Sequence, residues 1–253
     1  MAASGEGRRL FVEFLAMAHR QPIHLRPTAP LAERVLLPGD PGRALALAQL
    51  LIDRPLMFNH HRGLWGYTGP ALADGRPLTI QSTGMGGPSA AIVLQELIAL
   101  GARRAIRVGT CGALDGDLSL GDLVVAHEAL AADGTSRSLG SGERVTADAA
   151  LTEVLAHTAN GGATATVVST DLFYEHDPER ERGWRAAGAV AVEMESAALF
   201  AVGASAGVRV ACMLAVSDLL GGGQAGGGRE RIDDDALLKA AGEMGRAAVS
   251  ALV

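Results

Sequence analysis

The stretch 83–114, TGMGGPSAAIVLQELIALGARRAIRVGTCGAL, narrows the possible folds more than any other part of the chain. Gly84, Gly86 and Gly87 let the backbone turn sharply and approach a ligand closely. Pro88 stands where a helix would begin, because a missing N–H costs nothing in the first turn. The apolar run after it predicts a helix to Leu100, stopped by Gly101. A short strand follows at 105–108, and its apolar run is interrupted by Arg107. A guanidinium in a buried strand is costly unless an anion meets it. Gly109, Thr110, Cys111 and Gly112 come next and predict a cradle for phosphate beyond the strand end. The glycines alone describe an ordinary strand–helix–strand crossover. Arg107 with Thr110 points to an anion site.

Strands and helices alternate along the rest of the chain, which predicts an α/β fold. RVLL at 34–37 reads as a buried strand, with Asp40 capping a helix that begins at Pro41. Arg43 lies in that helix's first turn, either as part of an anion-binding end or as a solvated side chain. The segments 65–71 and 77–82 alternate around Asp74-Gly75, a hairpin signal. His60 and His61 are adjacent, but no carboxylate or cysteine stands at ligand spacing, so no metal site is expected. A strand is expected at 122–130, and a helix at 146–158 with a capping threonine. A strand at 163–169 delivers Phe173 and Tyr174 to a loop that continues through 175–180, and these rings could stack on a flat ligand or fill core. Glu193 and Glu195 stand at a strand-to-helix junction, where they could cap the helix or accept from sugar hydroxyls. The last core strand, at 208–216, hands Asp218 to the end of the sheet, a usual place for ligand chemistry in α/β folds. GGGQAGGG at 221–228 reads as a mobile loop, and 233–235 open a final helix.

A chain of 253 residues can bury a large core, and 48% of them are hydrophobic. No apolar run reaches the roughly 18 residues of a membrane span. A net charge of -6 argues against nucleic acid as a general partner. The apolar patch near the start is broken by Glu13 and predicts a cytoplasmic protein. Cys111 and Cys212 lie in apolar strand-like contexts and are not expected to form a disulfide.

Taken together, GDPGR at 39–43, NHHRG at 59–63, STGMGGPS at 82–89, RVGTCGAL at 107–114, STDLFY at 169–174, VEMESAALF at 192–200 and VSD at 216–218 resemble the nucleoside phosphorylase family of the hexameric purine and uridine type. The resemblance runs from His24 to the final helix. It implies one α/β domain over 24–253, after an extension at 1–23, with a central, mixed, twisted and partly barrel-like sheet flanked by helices. It implies a pentosyltransferase: phosphate attacks C1′ of a nucleoside and the base leaves. No cofactor is implied, inorganic phosphate being a co-substrate.

The resemblance also implies roles for the matching residues. Gly39, Arg43, Arg62, Arg107 and Thr110 would bind phosphate. Met194 would pack on the sugar, Glu195 would accept from its hydroxyls, and Glu193 and Phe173 would line the sugar and base region. Asp218 would protonate or hydrogen-bond the departing base, assisted by Arg231, with Arg229 as competitor. His24 would face the 5′ position. His24 and Arg62 would come from a neighbouring subunit, in a homohexamer built as a trimer of dimers. Uridine-type members carry a glutamine after the Phe-Tyr pair and lack the Asp of VSD, so a purine substrate is expected here. The phrasing is also similar to hexameric methylthioadenosine phosphorylases. A nucleosidase on the same fold would not need Arg43, Arg62 and Arg107 together, and the presence of Asp218 together with Glu195 argues against a non-catalytic nucleoside-binding protein.

Overall fold

The computed structural model describes residues 21–114, 116–159, 164–174, 177–220 and 230–253. Most of the expected N-terminal extension, the glycine run 221–228 and Arg229 lie outside the described residues. Strand β1 (Arg34–Leu37) is buried along its whole length, as a strand with parallel neighbours on both sides must be. It passes into α1 (Pro41–Leu51), capped by Asp40 as the sequence predicts. β2 (Leu56–Asn59), β3 (Gly66–Pro70) and β4 (Pro77–Gln81) pair as an antiparallel meander. Its hairpin is pinned by the buried Arg34, which donates to both oxygens of Asp74, at 2.7 and 2.6 Å, and to the carbonyls of Arg76 and Pro77.

The chain continues through α2 (Gly87–Leu100), ended by Gly101 in the left-handed region, and β5 (Arg104–Ala113). Then come β6 (Leu123–Ala132), α3 (Gly134–Ser138), β7 (Arg144–Thr146), α4 (Ala149–Thr158) and β8 (Thr164–Thr170). The last elements are α5 (Pro178–Ala186), β9 (Ala189–Glu193), α6 (Ser196–Ala206), β10 (Arg209–Leu219), β11 (Glu230–Arg231) and α7 (Asp234–Ala251). They form a single α/β domain around a mixed sheet.

Five strands close on themselves: β5 pairs β10, β10 pairs β6, β6 pairs β8, β8 pairs β9, and β9 returns to β5. The sheet also runs outward from β5 through β1, β4, β3 and β2. It is therefore part barrel and part open sheet. One apolar layer joins α2 and α6 to the sheet, and a second joins α1, α4 and α7 to it.

Three local expectations are corrected. β5 does not stop at Val108; pairing with β10 carries it through Gly109 to Ala113, so the glycines lie within a strand rather than in a turn after one. Thr146 ends β7 and does not cap a helix; Asp148 is the cap, accepting from the Leu151 N–H at 2.8 Å. The segment after Tyr174, read as a loop, becomes α5 from Pro178 on, capped by Asp177.

Candidate active site

β5 offers one edge to two partners. β1 occupies it up to Arg107, and β9 occupies it from Gly112 onward, running the opposite way. Between them, at Val108–Cys111, this edge is left by both neighbours. β1 departs into the Gly39–Arg43 turn, and β9 departs into the Glu193–Ser196 turn. Such a divergence of strands is where an open α/β sheet makes a crevice. Here it makes a cavity of about 410 Å³. The N-termini of α1 and α6 face this fork, and the α2 N-terminus reaches it through Gly86. Helix N-termini favour negative charge.

Arg107 lies at the centre, 3% exposed. Its Nε donates to Glu193 Oε2 at 3.0 Å, and its Nη2 pairs with Glu195 Oε2. Its Nη1 is buried with no hydrogen-bond partner among the described residues. Burial alone would lower the Arg107 pKa, but the Glu195 and Glu193 carboxylates outweigh it and hold the guanidinium above its ordinary range. Gly109 makes this placement possible: a Cβ there would lie 2.7 Å from Arg107 Cζ. The fold brings both carboxylates, distant in sequence, onto Arg107.

The two carboxylates differ. Glu193 has no exposed side-chain surface. It accepts from Arg107, from the Ser169 hydroxyl and from the N–H groups of Glu195 and Ser196. Ser169 in turn accepts from the Ala197 N–H at 2.9 Å. Glu193 is thus a filled hub that orients Arg107 and caps α6. Glu195 accepts from the Gly86 N–H at 2.6 Å and is slightly exposed to the cavity. Gly86 donates from φ 84, a backbone shape that suits glycine. Burial pushes the Glu195 pKa up, against the pull of Arg107 and the Gly86 N–H.

Arg43 lines the cavity together with Gly39 and the capping Asp40, whose Oδ1 accepts from the Arg43 N–H at 2.6 Å. Burial lowers the Arg43 pKa and the charge of Arg107 adds to this, while Asp40 and Glu195 oppose. Thr110 is also in the lining, from the unpaired stretch of the β5 edge. Cys111 lines the cavity too, but burial pushes its thiol well up, and Cys212 is pushed up to about 12. Both sulfurs are protonated at neutral pH and free.

Asp218 stands at the other end. β10 bulges against β5 between Val216 and Asp218, and a bulge re-aims the side chains beside it. Ser217 Oγ donates to Asp218 Oδ2 at 2.7 Å, and Arg231 Nε lies 3.1 Å from Asp218 Oδ1. β11 delivers Arg231 as the cross-strand partner of Asp218. Arg229 lies outside the described residues.

Of the sequence candidates, Gly39, Arg43, Arg107, Thr110 and Asp218 share this cavity with Phe173, Glu193, Met194 and Glu195. Phe173 meets Tyr174 edge-on, centroids 5.1 Å apart, and both rings are exposed. Three candidates do not line it. Arg231 reaches it through Asp218. Arg62 sits exposed in a short turn at φ 61. His24 is tied to Glu96, its Nδ1 2.7 Å from Oε1, and Glu96 also accepts from the N–H groups of Ile23, His24 and Leu25. Sequence reasoning missed Glu181 and Trp184 of α5, which line the cavity. Their only signal was an N-cap, Asp177-Pro178, in a stretch without apolar periodicity. Among the described residues, no helix is long and apolar enough to cross a membrane.

The family model of the phosphorylase superfamily matches residues 33–253. The purine nucleoside phosphorylase DeoD-type of Caldanaerobacter subterraneus is 37% identical over 208 residues, 79% of this chain and 89% of its own length. The protein of that name from Clostridium novyi is 35% identical over 79% of this chain and 88% of its own. That from Geobacillus kaustophilus is 38% identical over 76% of this chain and 83% of its own. By the span of that match and by relatives alike along most of both chains, this chain belongs to the phosphorylase superfamily.

Proposed function

We propose that the protein is a purine nucleoside phosphorylase. It cleaves the N-glycosidic bond of purine ribonucleosides or deoxyribonucleosides with inorganic phosphate, giving free base and the sugar 1-phosphate, and needs no other cofactor. The observation that carries this reading is the pairing of two charge arrangements in one cavity: Arg43 and Arg107 at one end, the Asp218–Arg231 pair at the other. The relatives are named for this activity, which supports the reading.

Phosphate would sit between Gly39, Arg43, Arg107 and Thr110, with the α1 N-terminus behind it. Arg107 Nη1 is the donor left over after both carboxylates are served. Glu195 accepts from ribose hydroxyls with the lone pairs not used by Gly86 and Arg107, and Met194 covers the sugar face. As the C1′–N bond breaks, positive charge grows on the sugar above the phosphate and negative charge grows on the base. Asp218 neutralises the base by giving it a proton or a hydrogen bond, with Arg231 fixing the carboxyl group. The assembly proposed is a homohexamer in which Arg62 and His24 complete the site of a neighbour.

A panel of inosine, guanosine, adenosine, uridine and methylthioadenosine, each with and without phosphate, tests this. Purine release that requires phosphate and yields the sugar 1-phosphate is the expected result. Release at the same rate without phosphate would make the protein a nucleosidase, and uridine as the best substrate would make it a pyrimidine enzyme.

A further inference from the structure

The phosphate and sugar chemistry leaves one cavity-lining carboxylate, that of Glu181 on α5, without a task. Its place along the cavity follows from its neighbour. Trp184, three residues on and hence on the same helix face, also lines the cavity and packs on the same apolar cluster, Leu114, Leu130, Val168 and Ala189, as Val192 and Leu220 do. Those two side chains lie against Gly112, within 3.4 Å of where its Cβ would be. Gly112 is the register partner of Asp218. Arg185, 3.6 Å from Glu181, donates to the carbonyl of Leu114, two residues past Gly112 and seven past Arg107, so Glu181 belongs to the Asp218 end, where the base would lie, and not to the arginine end.

The helix gives Glu181 a partial structural reason. It sits in the first turn of α5, where the dipole favours an acid, and Arg185 follows at i+4. That pair is loose: Arg185 Nη1 is 3.6 Å from Glu181 Oε2, and Arg185 Nε is spent on the Leu114 carbonyl at 2.7 Å. Glu181 is 20% exposed and retains acceptor capacity.

Resting on the phosphorolysis reading, we propose that Glu181 is a specificity residue that selects a purine presenting adjacent N–H donors, as guanine does with N1–H and its 2-amino group. An ionised carboxylate is acceptor-only and takes two parallel N–H groups. Adenine offers one amino group beside the N1 lone pair, which a second carboxylate oxygen would oppose. Hypoxanthine offers N1–H alone and falls between.

The test compares kcat/KM for guanosine, inosine and adenosine in the full-length protein, Glu181→Gln and Glu181→Ala. Loss of charge-assisted hydrogen bonds should cut guanosine by about tenfold to a hundredfold. Adenosine should not fall in either variant and should rise in Glu181→Gln, whose amide can donate to N1 and accept from the 6-amino group. Equal change for all three nucleosides, or none for any, overturns the assignment. Binding of free guanine and adenine, followed by quenching of tryptophan fluorescence at Trp184, separates this inference from the reaction itself. If no nucleoside is phosphorolysed but guanine binds more tightly than adenine, and Glu181→Gln abolishes the difference, the specificity role stands and the reaction falls. If the protein turns over nucleosides but guanine and adenine bind alike in both forms, the reaction stands and the specificity role falls.

Discussion

At the scale of single residues, Arg107 and Arg43 carry like charge in unlike settings, and their substitutions should separate. Arg107 neutralises two buried carboxylates, and removing one partner of a buried charge cluster costs about 3–5 kcal/mol. Arg43 is half-buried and caps nothing with its side chain; its link to Asp40 is through its backbone N–H. Arg43→Ala should therefore raise the KM for phosphate by about tenfold to a hundredfold, the loss of one charge-assisted contact. Its melting temperature should change little. Arg107→Ala should raise that KM and lower the melting temperature together. Phosphate titrations alongside thermal melts check both. A melting temperature that is unchanged in Arg107→Ala would mean that Glu193 and Glu195 do not depend on it. An unchanged phosphate KM in Arg43→Ala would take Arg43 out of the phosphate site.

At the scale of elements, β5 organises the site because it changes partners along one edge, and Gly109 is the residue that leaves room there for the Arg107 guanidinium. Gly109→Ala puts a Cβ 2.7 Å from Arg107 Cζ and 2.8 Å from Nη2. The guanidinium cannot swing aside freely, since two carboxylates hold it. The expected result is a folded protein, destabilised by about 1–3 kcal/mol as overpacked cores are, with a raised phosphate KM and purine binding retained. Crystallography of the variant would show whether Arg107 has moved; wild-type kinetics with Arg107 in place would remove the positional argument. Gly109 also shows where reading the chain stops. Asp40 before Pro41, Gly101 after an apolar helix and Asp74-Gly75 between alternating strands are local signals, and each element they predict is present. Gly109 looks the same in sequence whether it makes a turn or makes room, and only the pairing of β5 with β10 distinguishes them. The ion pairs joining Arg107 to Glu193 and Glu195 span more than 80 residues, so no local pattern reveals them. α5 was illegible for another reason: its composition is mostly polar, with Trp184 its one large apolar residue, and its helix is begun by a cap and a proline rather than by an apolar face.

At the scale of the whole molecule, the cavity of one chain brings together the residues expected from that chain, Arg231 by way of Asp218, while His24 and Arg62 remain outside its lining. His24 is held at the surface by Glu96 on α2, and Arg62 by a turn whose backbone is left-handed at that residue. Both are positioned by their own subunit, as residues that serve a neighbour need to be. Mixing two inactive variants tests this directly. Arg62→Ala keeps its own Asp218, and Asp218→Asn keeps its own Arg62. If Arg62 acts across an interface, a mixed pair contains one site with both native residues and one with neither. Random pairing of equal amounts makes half of the pairs mixed, so roughly a quarter of all sites, and of the wild-type activity, should return. If Arg62 serves its own chain, no pairing unites it with Asp218 and the mixture stays as inactive as its parts. The two variants should be unfolded and refolded together, with separately refolded samples as the baseline, so that any recovered activity reports exchange of subunits and nothing else.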